Sequence, residues 1–451
     1  MDLSSDLFKS DILRMRDLFL KTSTLPHAVS EDLILAEFQK LLLYATSKSP
    51  WWKNYLKDLS DIGSYTSLPK ILSDLPIMNP EFFAENSQSI FIPVPDARDA
   101  EYVTHTTRGL FHPPVSVKKY LTMAKMIYDA QTLVEWQWHE RDIKKVIVYI
   151  RHGYPDQDLM EVGPPLTYLG TSGPAYLRNS RQHSPAELLD FMEDVQPAYL
   201  SLDPATLREL VVEQARVGYE IESLEQIFVT GAQLDDNSRL LAESLFGVNV
   251  IINRYEAQEF GHLATTCPGQ QHLHTIASSI IFEILDDQDR PVLAPGQLGR
   301  VVVTDLHNYT SPLIRYEIGD VARWALPTGC GITWPAVSSQ IERDDGWSQT
   351  ENGEASGFSL FNVDFHNFRN LSDYQIIKFS DVLLFYYSAW PGLSSTQKNV
   401  IRENLKGLVS NVDEISFQPF SVAKPVPTGA RLQVYQSPLP YREDWSQQEL
   451  F

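Results

Sequence analysis

Between residues 146 and 255 short apolar runs alternate with longer amphipathic ones, and few folds accept that order. VIVYI (146–150), AYLSL (198–202), QIFVTG (226–231) and VNVIINRY (248–255) have the β-branched and aromatic composition of buried strands. Between the last three stand PATLRELVVEQARVG (204–218) and NSRLLAESLFG (237–247), and before them SPAELLDFMEDV (184–195); all three space apolar residues as helices do. Ser184 is placed to cap the first of these helices, with Pro185 in its opening turn. Parallel strands need long crossovers, usually helices. The order therefore predicts an α/β fold whose mainly parallel sheet carries helices on both faces.

On either side the pattern changes. Residues 1–95 read as helical, with DILRMRDLFLK (11–21) and EDLILAEFQKLLLYATSKS (31–49) amphipathic and two Leu-Pro pairs punctuating 67–83. After 275 strands dominate: SSIIFEIL (278–285), GRVVVTDL (299–306) and SPLIRYEI (311–318), an antiparallel addition to the parallel sheet. A polar, acidic, Gly-containing stretch follows, so 1–343 is expected to form one large multi-layer domain and 344–356 a hinge. Residues 357–451 give helix (362–371), strands (374–380 and 382–389), helix (395–409) and strand (414–420), a small α+β domain.

Composition narrows the function classes. Net charge is 37 − 58 = −21, which disfavours a nucleic-acid or anionic-membrane surface while leaving a local anion pocket open. Only Cys267 and Cys330 occur, unlike a secreted disulfide scaffold. The N-terminus mixes charges without an apolar core, and no run approaches the roughly 18 apolar residues of a membrane helix. The expected compartment is the cytoplasm.

Several stretches carry residues suited to chemistry. Asp320 ends the run PLIRYEIGD (312–320), where an ionised carboxylate could accept from both hydroxyls of a ribose; a turn Asp bonding its own backbone is the alternative. In YVTHTTRG (102–109), clustered Thr residues before a Gly can offer hydroxyls and N–H groups to phosphate, with Lys118 and Lys119 following. The same stretch also reads as an ordinary polar turn. RYEAQEFGH (254–262) puts Tyr255 and Glu259 just beyond a strand, where open α/β sheets bind ligands, and Gly231 would allow close approach at another strand end. Cys267, His272, His274 and Cys330 have zinc-ligand chemistry but no common finger spacing, so two buried thiols fit as well. Walker A, GxGxxG and GxSxG sequences are all absent.

Taken together and in order, YATSKSPWWKNYL (44–56), LPIMNPEFF (75–83), the 104–109 loop, TGAQ (230–233), YEAQE (255–259), GQLGRVVVTDL (296–306) and PLIRYEIGD resemble the phenylacetate–coenzyme A ligase branch of the adenylate-forming (ANL) enzymes. The resemblance runs nearly end to end. It implies a large domain that forms an acyl-adenylate from a carboxylic acid and MgATP, and a small mobile domain that then admits a thiol, usually coenzyme A. An amine or other nitrogen acceptor is the variant. By position, it implies a phosphate loop at Thr104, Thr106, Thr107 and Gly109, an adenine and acyl lining at Gly231, Ala232 and Gln233, and adenine packing at Tyr255 beside Glu256. It further implies magnesium at Glu259, the ribose at Asp320, and a catalytic Arg343 before a hinge at Asp344 and Asp345. A structural zinc is implied on Cys267, His274 and Cys330; Thr328 stands in the fourth place, for which His262 or His272 could substitute. A homodimer is an open alternative.

The chain also departs from that pattern. The loop reads THTTRG, where Thr106 replaces a Gly and Arg108 a Thr; Arg108 could compensate through bidentate phosphate contacts. The Lys expected near the C-terminus is missing: Thr428-Gly429-Ala430-Arg431 stands there, with Lys424 nearby. Adenylation is therefore weighed against acyl transfer or condensation on a preactivated substrate, and against a non-catalytic binding protein. Arg151, His152, Asp156 and Asp158 lean towards a polar acid, or form a solvated loop.

Overall fold

The computed structural model describes residues 6–343 except 60, 107–114, 152–153, 160–172, 232–233, 235, 249, 270–271, 327–328 and 340, and beyond them 371–379, 382–389, 392–408, 414–419 and 432–435. In chain order the elements begin α1 (Asp6–Thr22), α2 (His27–Lys48), α3 (Pro50–Tyr55), α4 (Leu68–Ser73), α5 (Pro80–Ile90), β1 (Tyr102–Thr106), β2 (Ser116–Tyr120) and α6 (Leu121–Trp138). Next come β3 (Ile147–Arg151), β4 (Gln157–Leu159), β5 (Ala175–Asn179), α7 (Pro185–Val195), β6 (Tyr199–Leu202), α8 (Pro204–Val217), β7 (Gln226–Val229), α9 (Asp236–Phe246) and β8 (Val250–Ala257). Then follow β9 (Gly261–Thr266), β10 (Leu273–Thr275), β11 (Ile280–Leu285), β12 (Leu298–Asp305), β13 (Tyr316–Arg323), β14 (Ala336–Val337) and β15 (Glu342–Arg343). The chain finishes with β16 (Leu371–Phe379), β17 (Val382–Ala389), α10 (Ser395–Leu408), β18 (Glu414–Pro419) and β19 (Leu432–Tyr435). Two compact units result: Met1–Asp142 with Arg254–Arg343, and Ile143–Asn253 with Asp344–Phe451.

The second unit contains the parallel strands that the alternation predicts. Residues 250–253 of β8 pair with β7, β7 with β6, β6 with β3 and β3 with β5, all parallel; β4 adds an antiparallel edge to β5. Parallel strands buried on both faces need apolar side chains throughout, and β6 and β7 are buried at every position. The helices start where their caps dictate. Ser184 accepts from Glu187 N while the Glu187 side chain returns to Ser184 N, a reciprocal cap that opens α7. Asp203 does the same work for α8 by accepting from Ala205 N and Thr206 N. Both helices press Leu188, Leu189, Met192, Leu207, Leu210 and Val211 onto Val148, Leu200, Leu202, Ile227 and Val229. Each such side chain contributes roughly 1.5–3 kcal/mol through burial. In the same unit β18, β17, β16 and β19 form a four-stranded sheet in that order. Of the helix expected over 362–371, residues 362–370 lie outside the described residues and Leu371 opens β16.

The first unit holds the antiparallel strands. The sheet β11–β12–β13–β15 and the group β14–β10–β9 with the end of β8 are antiparallel at every pairing. Its core joins Phe38, Leu41 and Leu42 of α2, Phe83 of α5, Val301 and Val303 of β12 and Tyr316 of β13. At the start of β13, Arg315 is buried with φ 49°, donates to both carboxylate oxygens of Glu283 (3.1 and 3.0 Å) and gives a further N–H to Leu75 O (2.6 Å). That buried fork ties β13 to β11 and to the chain between α4 and α5. Among the described residues no helix is long and apolar enough to cross a membrane.

Candidate active site and metal centre

Asp320 lies on the inward face of β13, where Tyr316, Ile318, Asp320 and Ala322 are buried in alternation. The ladder with β12 is irregular beside it: Arg300 faces Val321 but Val302 faces Glu317, so Val301 alone spans three residues of β13. Gly319 absorbs that irregularity with φ 78°, in the left-handed region where a side chain costs roughly 1–2 kcal/mol. A buried carboxylate needs partners. The hydroxyl of Tyr255 supplies one by donating to Asp320 Oδ2, and β15 brings Arg343 opposite Asp320 in the ladder. The Tyr255 ring packs against the unit's core and meets Phe282 edge-on at 6.4 Å.

The strand carrying Tyr255 is held from below. Glu135 of α6, fully buried, accepts from Arg254 Nε at 2.6 Å, from Arg254 Nη2 and from the Thr265 hydroxyl at 2.6 Å. Burial alone would raise the Glu135 carboxyl, but the Arg254 guanidinium outweighs it and holds it below the ordinary range. Removing one partner of such a pair costs about 3–5 kcal/mol. A bulge then separates Tyr255 from Glu256: Tyr255 faces Ala264 while Glu256 faces His262, and Leu263 is left over. Glu256 Oε1 approaches His262 Nε2 to 2.6 Å without hydrogen-bond alignment, and the buried imidazole meets Tyr128 edge-on at 4.5 Å.

The described part of the Thr-rich loop belongs to the same neighbourhood. Thr104 and Thr106 lie on β1, and half-buried His105 between them feels the side chain of Gln258, inside the Tyr255–Glu259 segment. Burial, with Lys119 adding to it, pushes the His105 imidazole down to about 4, so it is neutral at pH 7. Lys119 donates to Phe260 O (3.1 Å) and Asp305 Oδ2 (3.2 Å), tying β2 to the turn after Glu259 and to β12. Glu259 itself is buried. Thr104, Thr106, Tyr255, Glu256, Glu259, Asp320 and the backbone of Arg343 are thus all in the first unit. Gly231 belongs to the second, at the end of β7 with φ 94°. Thr107, Arg108, Gly109, Ala232, Gln233, Thr328, Asp344, Asp345, His152, Lys424 and Arg431 lie outside the described residues. Arg151 donates to Ser201 O (2.7 Å), Asp158 pairs with Arg178, and Asp156 pairs with His183.

The two cysteines meet their histidines. Sγ of Cys267 and Cys330 and one ring nitrogen each of His272 and His274 all lie within 4.8 Å of one another. His274 Nε2 stands 3.4 Å from His272 Nε2 and 3.2 Å from Cys330 Sγ. Tetrahedral zinc with Zn–N of about 2.0 Å and Zn–S of about 2.3 Å separates its ligand atoms by about 3.3–3.8 Å, so this donor set fits that ion. On the outer side His274 Nδ1 contacts Trp334 O at 2.8 Å, which turns Nε2 inward. His272, named only as a substitute by the sequence, is the fourth member, while His262 is not in the group and stands beside Glu256. The hairpin β9–β10 creates the site: Cys267 N donates to His272 O (3.0 Å), closing the loop that brings them together.

The fold is shared with solved structures of acyl-CoA ligases. The structure of a 2-hydroxyisobutyryl-CoA ligase in the postadenylation state with an acyl-AMP superposes with TM-score 0.69 at 15% identity, covering 90% of this chain and 89% of that one. An open form of that ligase, in complex with 2-HIB-AMP and CoA, gives 0.62 at 16%, over 90% and 91%. The anthranilate CoA ligase AuaEII in complex with anthranoyl-AMP gives 0.50 at 11%, over 78% and 72%. No family model matches the sequence, and no curated protein matches it.

Proposed function

We propose that this chain is an adenylate-forming ligase that activates a carboxylic acid with MgATP and passes the acyl group to coenzyme A or to an amine. The observation that carries the reading is the Tyr255–Asp320 hydrogen bond, because it joins the two residues that the resemblance gives to adenine and ribose. The Lys119–Phe260 hydrogen bond adds to it by tying β2, the partner of β1, to the residue after Glu259. In this reading Tyr255 packs on adenine and Asp320 accepts from the ribose. Thr104, Thr106, Thr107 and Gly109 face phosphate, with Arg108 and Arg343 as the cations near the transferring group. Glu256 contributes to the nucleotide surroundings and Glu259 holds magnesium. Bound magnesium would neutralise charge on the phosphates, and positioned donors would stabilise what develops between carboxylate and α-phosphate. Zinc on Cys267, His272, His274 and Cys330 is structural in this proposal, because four protein ligands leave no open position.

Pyrophosphate release with a panel of aryl, alkyl and amino acids tests the reaction. Acid-dependent pyrophosphate from ATP is the expected result. Its absence with every acid, together with no shift in melting temperature by nucleotide, would remove the proposal. Turnover of a supplied acyl-adenylate without any from ATP plus acid would instead favour the second reading, acyl transfer from a preactivated substrate, which the altered THTTRG loop and the missing Lys motivate.

A further inference from the structure

The two cysteines of the metal group differ in what surrounds them. Cys267 follows β9 and is fully buried, while Cys330 is half-buried in the turn Gly329–Cys330–Gly331. Both glycines of that turn are exposed and take positive φ (70° and 87°). A Cβ built on either would meet nothing within 4 Å beyond its own chain neighbours. Open space therefore flanks one sulfur of the pair, whereas protein encloses the other. The chain has no further cysteine, and the two Sγ atoms lie within 4.8 Å of each other. Cysteines that respond to oxidants combine the same features: a thiolate that solvent reaches and a second cysteine beside it.

We infer that Cys267 and Cys330 are a peroxide-responsive pair, which hydrogen peroxide converts to a disulfide with loss of the zinc. The inference rests on the structural-zinc reading above and adds to it the means by which the ion leaves. As zinc ligands both cysteines are thiolates. Cys330 Sγ attacks one oxygen of the peroxide and the O–O bond breaks. The other oxygen leaves as hydroxide, which takes up a proton to become water, and Cys330 is left as a sulfenic acid. Cys267 Sγ then attacks the Cys330 sulfur, the S–O bond breaks, and the departing hydroxide takes up a second proton. The two thiolates have thus lost two electrons, and one peroxide has become two waters. Both charged donors disappear in one event, and His272 and His274 alone make a poor zinc site. The hairpin β9–β10 and the segment of Cys330 stay tied, by an S–S bond in place of the ion.

The test uses the full chain, purified with its zinc and without reductant, and adds hydrogen peroxide in stepwise amounts. Zinc release is read with the chromogenic chelator pyridylazoresorcinol, and the cysteines by intact mass and a non-reducing peptide map. The expected result is release of about one zinc per chain in step with the loss of two hydrogens and a linked Cys267–Cys330 peptide pair. A dithiol reductant followed by zinc should reverse all three. Dimedone, which traps sulfenic acids, should label Cys330 and not Cys267 in the wild type, an arm that depends on no variant folding. In Cys267→Ser the Cys330 label should rise severalfold, because the sulfur that consumes the sulfenic acid is gone. Zinc retained while a small thiol in the same tube is oxidised would overturn the inference and leave the structural-zinc reading intact. Zinc lost with sulfinic acid on either cysteine and no linked pair does the same, as does dimedone on Cys267 alone. A chain isolated without zinc that takes up none when supplied removes that reading and the inference together.

Discussion

Asp129 stands in the middle of α6, nearly fully buried, with Oδ2 lacking a hydrogen-bond partner. Burial pushes its carboxyl up to about 7, although Lys125 one turn earlier pulls it down. Its folded value thus lies above the unfolded one, and the fold binds a proton that the unfolded chain releases. The stability this contributes is fully present below about 3.9 and is lost as pH rises through about 7. His105 works in the opposite sense: its depressed folded value gives stability that is present above about 6.5 and lost as pH falls towards about 4. Asp129→Asn separates the two, since only one of them changes. Between pH 6 and 8 the melting temperature of the wild type should fall more than that of Asp129→Asn, and at pH 8 the variant should be the more stable. Parallel curves over that range would show that the Asp129 carboxyl titrates normally. Nothing in the sequence around Asp129 announces this, because burial of one residue is decided by what packs on it. Tyr255 and Asp320 stand out in the sequence for the contrary reason, as they sit in motifs whose order along the chain carries the resemblance, and the structure brings their side chains together.

At the scale of elements, legibility followed periodicity. The strands and helices from 184 to 257 follow their apolar spacing and their caps, down to Ser184 and its reciprocal bond with Glu187. Helix α6 was not read, and its burial gives the reason: Asp129 to Trp136 are buried in succession, so it has no polar stripe to set against an apolar one. This is also the helix that supplies Glu135 beneath the Tyr255 strand. The metal hairpin was half legible. The sequence gives the ligand types, but the closeness of Cys330 to residues 267–274 depends on a segment 56 residues further on from His274. Were the four donors to hold zinc, the hairpin β9–β10 and the segment of Cys330 would be crosslinked by it, and metal analysis should find about one zinc per chain. Treatment with a strong chelator should then lower the melting temperature, and re-addition of zinc should restore it. His272→Ala should reduce metal content, whereas Thr328→Ala should not. Full metal retention in His272→Ala would return the fourth place to another residue.

For the molecule as a whole, the sign of its electric field is set by composition: 58 acidic against 37 basic side chains give −21. A nucleotide approaching such a surface is anionic too, so the long-range force opposes association and only groups close to the site favour it. Lys119, close in sequence to the Thr-rich loop, is already committed to Asp305 and the Phe260 carbonyl. Salt separates the two ranges. The screening length falls from about 20 Å at 20 mM to about 7 Å at 200 mM, which removes the repulsion of distant charges before it weakens contacts within the site. The association rate of AMP, followed by stopped-flow fluorescence, should therefore rise severalfold over that interval. Adenosine, uncharged, should associate at an unchanged rate and so control for any effect of salt on the protein itself. If the AMP rate falls steeply instead, a local basic field outweighs the global one. Composition would then have given the wrong sign at the only place where it matters to the ligand, since net charge says nothing of how the 37 cations are distributed.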